Sequence, residues 1–121
     1  MPEETGFLPH SPGMPEAINA DSFDEDVLRS PVPAVVEFWA ARCGACRRLS
    51  PEMAATDHLL QGQVRFFTLN VDEELPAAIR FGVASVPALL LFENGQEKGR
   101  HFGFLDRAAL VHFIRYHLGG S

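Results

Sequence analysis

Val35-Val36-Glu37-Phe38-Trp39-Ala40-Ala41-Arg42-Cys43-Gly44-Ala45-Cys46 is the stretch that decides the fold. Ala34 to Trp39 is a short run of branched and aromatic residues, the pattern of a buried strand. Two cysteines spaced Cys-x-x-Cys follow it, and they are the only two in the chain. Residues three apart on a helix have Cβ atoms about 5–6 Å apart, within the range that a disulfide bridges. A Cys-x-x-Cys that opens a helix can therefore close and reopen with little backbone motion. The first cysteine of such a pair meets the unpaired N–H groups and the positive end of the helix dipole, and both favour a thiolate. Cys43 thus reads as the nucleophile, and Cys46, one turn inside, as the resolving thiol.

A metal is a poorer reading of the same pair. Structural zinc takes four ligands, and no second cysteine pair is present. The histidines, at 10, 58, 101, 112 and 117, are scattered and none is paired for ligation on a helix face. An ion shared across a dimer interface through this one pair is the remaining metal arrangement. In a reducing compartment a lone Cys-x-x-Cys serves a transient, catalytic disulfide more often than a structural staple.

Working outward, Asp21 to Arg29 reads as a short helix capped by Asp21 or Ser22, with acids in its first turn, and Pro31 and Pro33 stop it. The helix that opens at Cys43 should run toward Leu60 and kink at Pro51. Val64 to Val71 reads as a second strand, Glu74 to Phe81 as a short helix closed by Gly82, and Ala88 to Phe92 as a third strand. Asn94-Gly95 is a hairpin signal, so about Gln96 to Phe102 should pair antiparallel with that third strand. A last amphipathic helix runs from its cap at Asp106 to Leu118, with Leu110, Val111, Phe113 and Ile114 as the buried stripe. Alternating strands and helices with a terminal hairpin imply an α/β domain: a central mixed β-sheet with helices on both faces.

The flanks carry less information. Residues 1–17, rich in Pro and Gly with no apolar period, read as a flexible arm, in which Phe7-Leu8 could dock, and residues 18–121 as the domain. At 121 residues with a formal net charge of −6, the chain reads as one domain that gains nothing from nucleic acid or an anionic membrane. The longest apolar run, near Val83 to Phe92, is short and contains Pro87, so no membrane span is expected. The acidic start Met1-Pro2-Glu3-Glu4 lacks the basic and apolar regions of an export signal, and a cytoplasmic location is expected.

The chain resembles the thioredoxin family. Phe38 to Pro51 around the cysteine pair, Leu69-Asn70-Val71-Asp72, and Phe81 to Gly95 carry the resemblance, which spans about residues 18–118. It implies the thioredoxin fold and a protein-disulfide reductase working by dithiol-disulfide exchange, without a bound cofactor or metal. It also implies disulfide-containing protein substrates and a thioredoxin reductase or similar electron donor, with a monomeric state. By position, Pro87 after Val86 matches the family's cis-proline, with the Val86 backbone available to an extended substrate segment. Glu37 matches the buried acid, which exchanges a proton with the inner cysteine, and Trp39 the tryptophan that packs beside the disulfide.

Four departures set this chain apart. Arg42 stands where the family commonly has Trp, Ala45 where it commonly has Pro beside Gly44, Glu37 where it usually has Asp, and Thr68 where it commonly has Lys. Arg42 with Arg47 and Arg48 should favour the Cys43 thiolate and acidic partner surfaces. Ala45 implies a couple less reducing than a typical thioredoxin. A reading of a different class is a thioredoxin-fold binding or chaperone-like module in which redox turnover is secondary. The intact cysteine pair argues against it.

Overall fold

A computed structural model describes residues 14–119, so most of the arm, with the alternative docking role of Phe7-Leu8, lies outside the described residues. The order is β1 (Glu16–Ala17), a π-helical turn (Asp24–Leu28), β2 (Ala34–Trp39), α1 (Gly44–Leu60), β3 (Arg65–Asn70), α2 (Leu75–Arg80), β4 (Ala88–Glu93), β5 (Gln96–Phe102) and α3 (Arg107–His117). The sheet has five strands in the order β1-β3-β2-β4-β5. β2 is parallel to β3 and antiparallel to β4, which is antiparallel to β5, so the expected mixed sheet is present.

β2 is central, and its composition explains why. Residues 34–38 are all buried, because the strand is covered on both faces and cannot alternate apolar with polar. One face holds Val36, Phe38, Phe67, Leu69, Leu90 and Phe92 beneath the π-helical turn and α2. Phe23 and Phe81 join them there, with ring centroids 4.5 Å apart. The other face holds Val35, Phe66, Leu89 and Leu91 against Leu49 and Met53 of α1 and Leu110, Phe113 and Ile114 of α3. The expected stripe on α3 is present except that Val111 is only half-buried.

The local signals act as their chemistry dictates. Asn94 and Gly95 both take positive φ, 54° and 79°, which is what a tight turn between right-twisted antiparallel strands requires. Asp106 caps α3 by accepting from the Ala109 N–H at 2.9 Å. The Arg107 N–H donates to Glu52 Oε1 at 2.7 Å, which ties the start of α3 to α1. α1 continues through Pro51, whose ring nitrogen cannot donate to the carbonyl of Arg47.

Two expectations are corrected. The turn near residue 21 is not a capped α-helix: it spans Asp24–Leu28, its cap position is Phe23 with no side-chain bond, and the Arg29 N–H reaches back to the Asp24 carbonyl at 3.0 Å. Ser22 is engaged elsewhere, since its N–H donates to Asn19 Oδ1 at 2.8 Å and its Oγ accepts from the Asn19 N–H at 3.2 Å. Such local side-chain bonds compete with helix capping. The second correction is β1: Glu16–Ala17, placed in the arm from sequence, pairs parallel with Phe67–Thr68. Ile18 follows into the core and donates its N–H to the Thr68 carbonyl at 2.9 Å.

Candidate active site

β2 delivers the chain to the site. After Trp39 the buried Ala40 accepts from the Cys43 N–H at 3.1 Å, and this turn places Cys43 at the start of α1. Cys43 is extended (φ −92°, ψ 109°) and acts as the N-cap, its Sγ accepting from the Cys46 N–H at 3.1 Å. Cys43 and Cys46 are joined as a disulfide, with Cα atoms 5.2 Å apart. Their surroundings differ. Cys43 is half-buried, whereas Cys46 is only 3% exposed. A sulfur at an N-cap, receiving a backbone N–H and facing the positive helix end, is placed to carry negative charge.

Glu37 stands on the same strand, one step in from Trp39, and is 2% exposed. Its register neighbours are Thr68 on β3 and Leu89 on β4, so no cation is paired with it across the sheet. Burial alone pushes its carboxyl up to about 7. A cavity of about 300 Å³ is lined by Glu37, Trp39, Cys46, Arg47 and Thr68, together with Met14, Pro15, Ser50, Met53 and Ala54. Glu37 and Cys46 thus border one space. Sequence reasoning missed the last five lining residues. Ser50, Met53 and Ala54 follow Cys46 at helical spacing and could have been found that way, but Met14 and Pro15 reach the cavity only because β1 docks on β3.

Pro87 is buried, and the Val86–Pro87 peptide bond is cis. It directly precedes Ala88, which is opposite Phe38, so this bond lies level with the end of β2 from which the cysteine loop departs. The Pro87 carbonyl accepts from the Gly103 N–H at 2.8 Å, which fixes the segment to the end of β5. Val86, Gly44 and Ala45 are half-buried, and Ala84 and Ser85 are exposed.

The three arginines separate. Arg42 points to Asp72, Nη1 to Oδ2 2.7 Å, with 77% of its side chain exposed. Arg47 Nη1 donates to the Ala41 carbonyl at 2.6 Å, and Arg48 lies over the Phe104 ring at 5.8 Å from its centroid. A Cβ placed on Gly44 would be 3.8 Å from Arg48 Nη1 and 3.9 Å from Arg47 Nη2. The positive charge that flanks the cysteine pair therefore comes from Arg47 and Arg48. Among the described residues there is no cluster of three or more acidic, His or Cys side chains able to hold a metal.

Comparison with known proteins agrees with this geometry. The Thioredoxin family model matches residues 14–116. The chain is 33% identical to a thioredoxin of Rickettsia bellii over 101 residues, 84% of this chain and 96% of that one. It is 35% identical to a thioredoxin of Haemophilus influenzae over 101 residues, covering 84% and 94% of the two chains. It is 36% identical to a thioredoxin of Streptomyces clavuligerus over 100 residues, covering 82% and 92%. With its sheet order, its cysteine pair at a helix start and this match over most of its length, the chain belongs to the thioredoxin family of thiol-disulfide oxidoreductases.

Proposed function

We propose that the chain reduces protein disulfides through an attacking Cys43 and a resolving Cys46. The observation that carries this division of labour is the difference in exposure between the two sulfurs, half-buried at Cys43 and 3% exposed at Cys46. The Cys43 thiolate attacks one sulfur of the substrate disulfide, that S–S bond breaks, and the departing sulfur takes a proton. Cys46, deprotonated by Glu37, then attacks Cys43 Sγ, which releases the second substrate thiol and leaves Cys43–Cys46 oxidised. Two electrons have passed to the substrate, and a reductase restores the dithiol. Trp39 walls the shared cavity, and the Val86 backbone beside the cis bond is available to pair with an extended substrate segment.

Trapping tests this order of events. Cys46→Ser should accumulate a mixed disulfide through Cys43 with a disulfide-bonded test protein, visible as a mass increase that a reductant removes. Attachment failing in that variant overturns the assignment of Cys43 as attacking sulfur.

The couple should be less reducing than in family members that carry Pro at position 45. Ala45 sits in the first turn of α1, where proline's fixed φ fits the helix. Ala45→Pro should lower the potential by about 30–60 mV, where ~30 mV corresponds to about 1.4 kcal/mol in a two-electron couple. A redox titration showing no shift, or one to higher potential, discards the role of Ala45.

A monomer acting in the cytoplasm fits this reading, because a dithiol reductant has to be kept reduced. No helix among the described residues is long and apolar enough to cross a membrane. The net charge of −6 gives no attraction to nucleic acid or to anionic lipid.

A further inference from the structure

We infer that Arg47 and Arg48 select substrates carrying a carboxylate next to the disulfide, so that this reductase prefers acidic segments. The inference rests on the reading of Cys43 as the attacking sulfur and names the substrate class of that same site.

Of the seven other arginines, five are paired with a carboxylate, Arg29 with Glu25, Arg42 with Asp72, Arg65 with Glu16, Arg80 with Asp24 and Arg100 with Glu97, while Arg107 and Arg115 on α3 have no ion pair among the described residues. Acids outnumber Lys and Arg by 16 to 10, so partners are plentiful. Arg47 and Arg48 nonetheless have no acidic partner among the described residues. They are held by contacts that leave their charge in place, Arg47 by the Ala41 carbonyl and Arg48 by the Phe104 ring. Both head groups lie within 4 Å of where a Cβ on Gly44 would stand, between the two cysteines. Phe104 is itself 41% exposed and gives the same face an apolar surface beside the charge.

A carboxylate one or two residues from the substrate cysteine would meet these guanidinium groups as its sulfur approaches Cys43. The charges are exposed, so the effect acts on encounter and is screened by salt. Pairing with the two together should raise kcat/KM by about twofold to thirtyfold at low ionic strength, the range expected for two exposed ion pairs. Glutamate and lysine beside the disulfide should differ by more, since one is attracted and the other repelled.

The test uses three peptide disulfides, identical except for Glu, Gln or Lys beside one cysteine, and reads kcat/KM ratios. A ratio between peptides cancels any change in the reactivity of Cys43 itself. The wild type should rank Glu above Gln above Lys, with the spread shrinking as salt is added. In Arg47→Gln/Arg48→Gln the Glu-to-Gln ratio should fall to near unity, and each single substitution should lower it in part, which keeps the test decisive if the double variant folds badly. A wild type that reduces all three peptides equally overturns the inference while leaving the reductase reading intact. A ratio that survives both single substitutions removes these arginines as its source. A wild type that reduces none of the three overturns the reductase reading instead.

Discussion

Replacing Cys43 by serine should abolish turnover of protein disulfides, lowering the rate by at least on the order of a thousandfold, to the level of the uncatalysed exchange. Serine preserves the shape and can still cap α1, so the helix start that receives the Cys46 N–H remains in place. What is lost is a thiol, which yields a nucleophilic thiolate far more readily than a hydroxyl at the same N-cap yields an alkoxide. Cys46 cannot substitute, because at 3% exposure an incoming disulfide does not reach it. Alkylation separates these effects from misfolding. The reduced wild type should react quickly with one equivalent of a small alkylating reagent, at Cys43, and the variant should react slowly while keeping its thermal transition. Reduction of a test protein at the wild-type rate by Cys43→Ser would overturn the assignment of Cys43 as the attacking sulfur.

Where the sequence was readable, the decisive physics was local. Ala34 to Trp39 announces a buried strand by composition, Asn94-Gly95 announces its turn because both positions take positive φ, and Asp106 caps α3 through its own carboxylate. Cys43 and Cys46 needed only helical spacing to be placed together. Features set by distant contacts were not legible. β1 is two residues long, too short for any period, and exists because Phe67 and Thr68 offer an open parallel edge. Ser22 and Asn19 satisfy each other, which no capping rule applied to Asp21 to Arg29 could reveal. Arg42, Arg47 and Arg48 looked like one basic cluster, yet Asp72, distant in sequence, withdraws the first of them. The cavity beneath Cys46 depends likewise on Met14 and Pro15 meeting α1 and β2 across the docked edge strand.

Glu37→Gln should stabilise the oxidised protein at pH 8 and leave it unchanged near pH 4. The Glu37 carboxyl is raised by burial from 4.5 to about 7, so the folded state holds its proton over a range where the unfolded chain has released it. The stability this contributes is complete below the unfolded pKa of 4.5 and is lost as pH rises through about 7. Above that, the folded protein carries a buried carboxylate whose register neighbours are Thr68 and Leu89, neither of them a cation. Glutamine keeps the volume and cannot ionise, so denaturation curves should show a gain of up to about 3 kcal/mol at pH 8, since each tenfold change in proton affinity between the folded and unfolded states corresponds to about 1.36 kcal/mol. The same substitution should cost activity in the resolving step, where Glu37 and Cys46 border one cavity. Removal of a general base typically slows its step by about a hundredfold or more. In the wild type, release of the second substrate thiol from a preformed mixed disulfide should speed up as pH rises through about 7, and that inflection should vanish in the variant. A gain in stability at high pH together with an unaltered release profile would make Glu37 a buried charge with no part in proton transfer. Flat stability curves for both proteins would mean that the carboxyl is not raised at all.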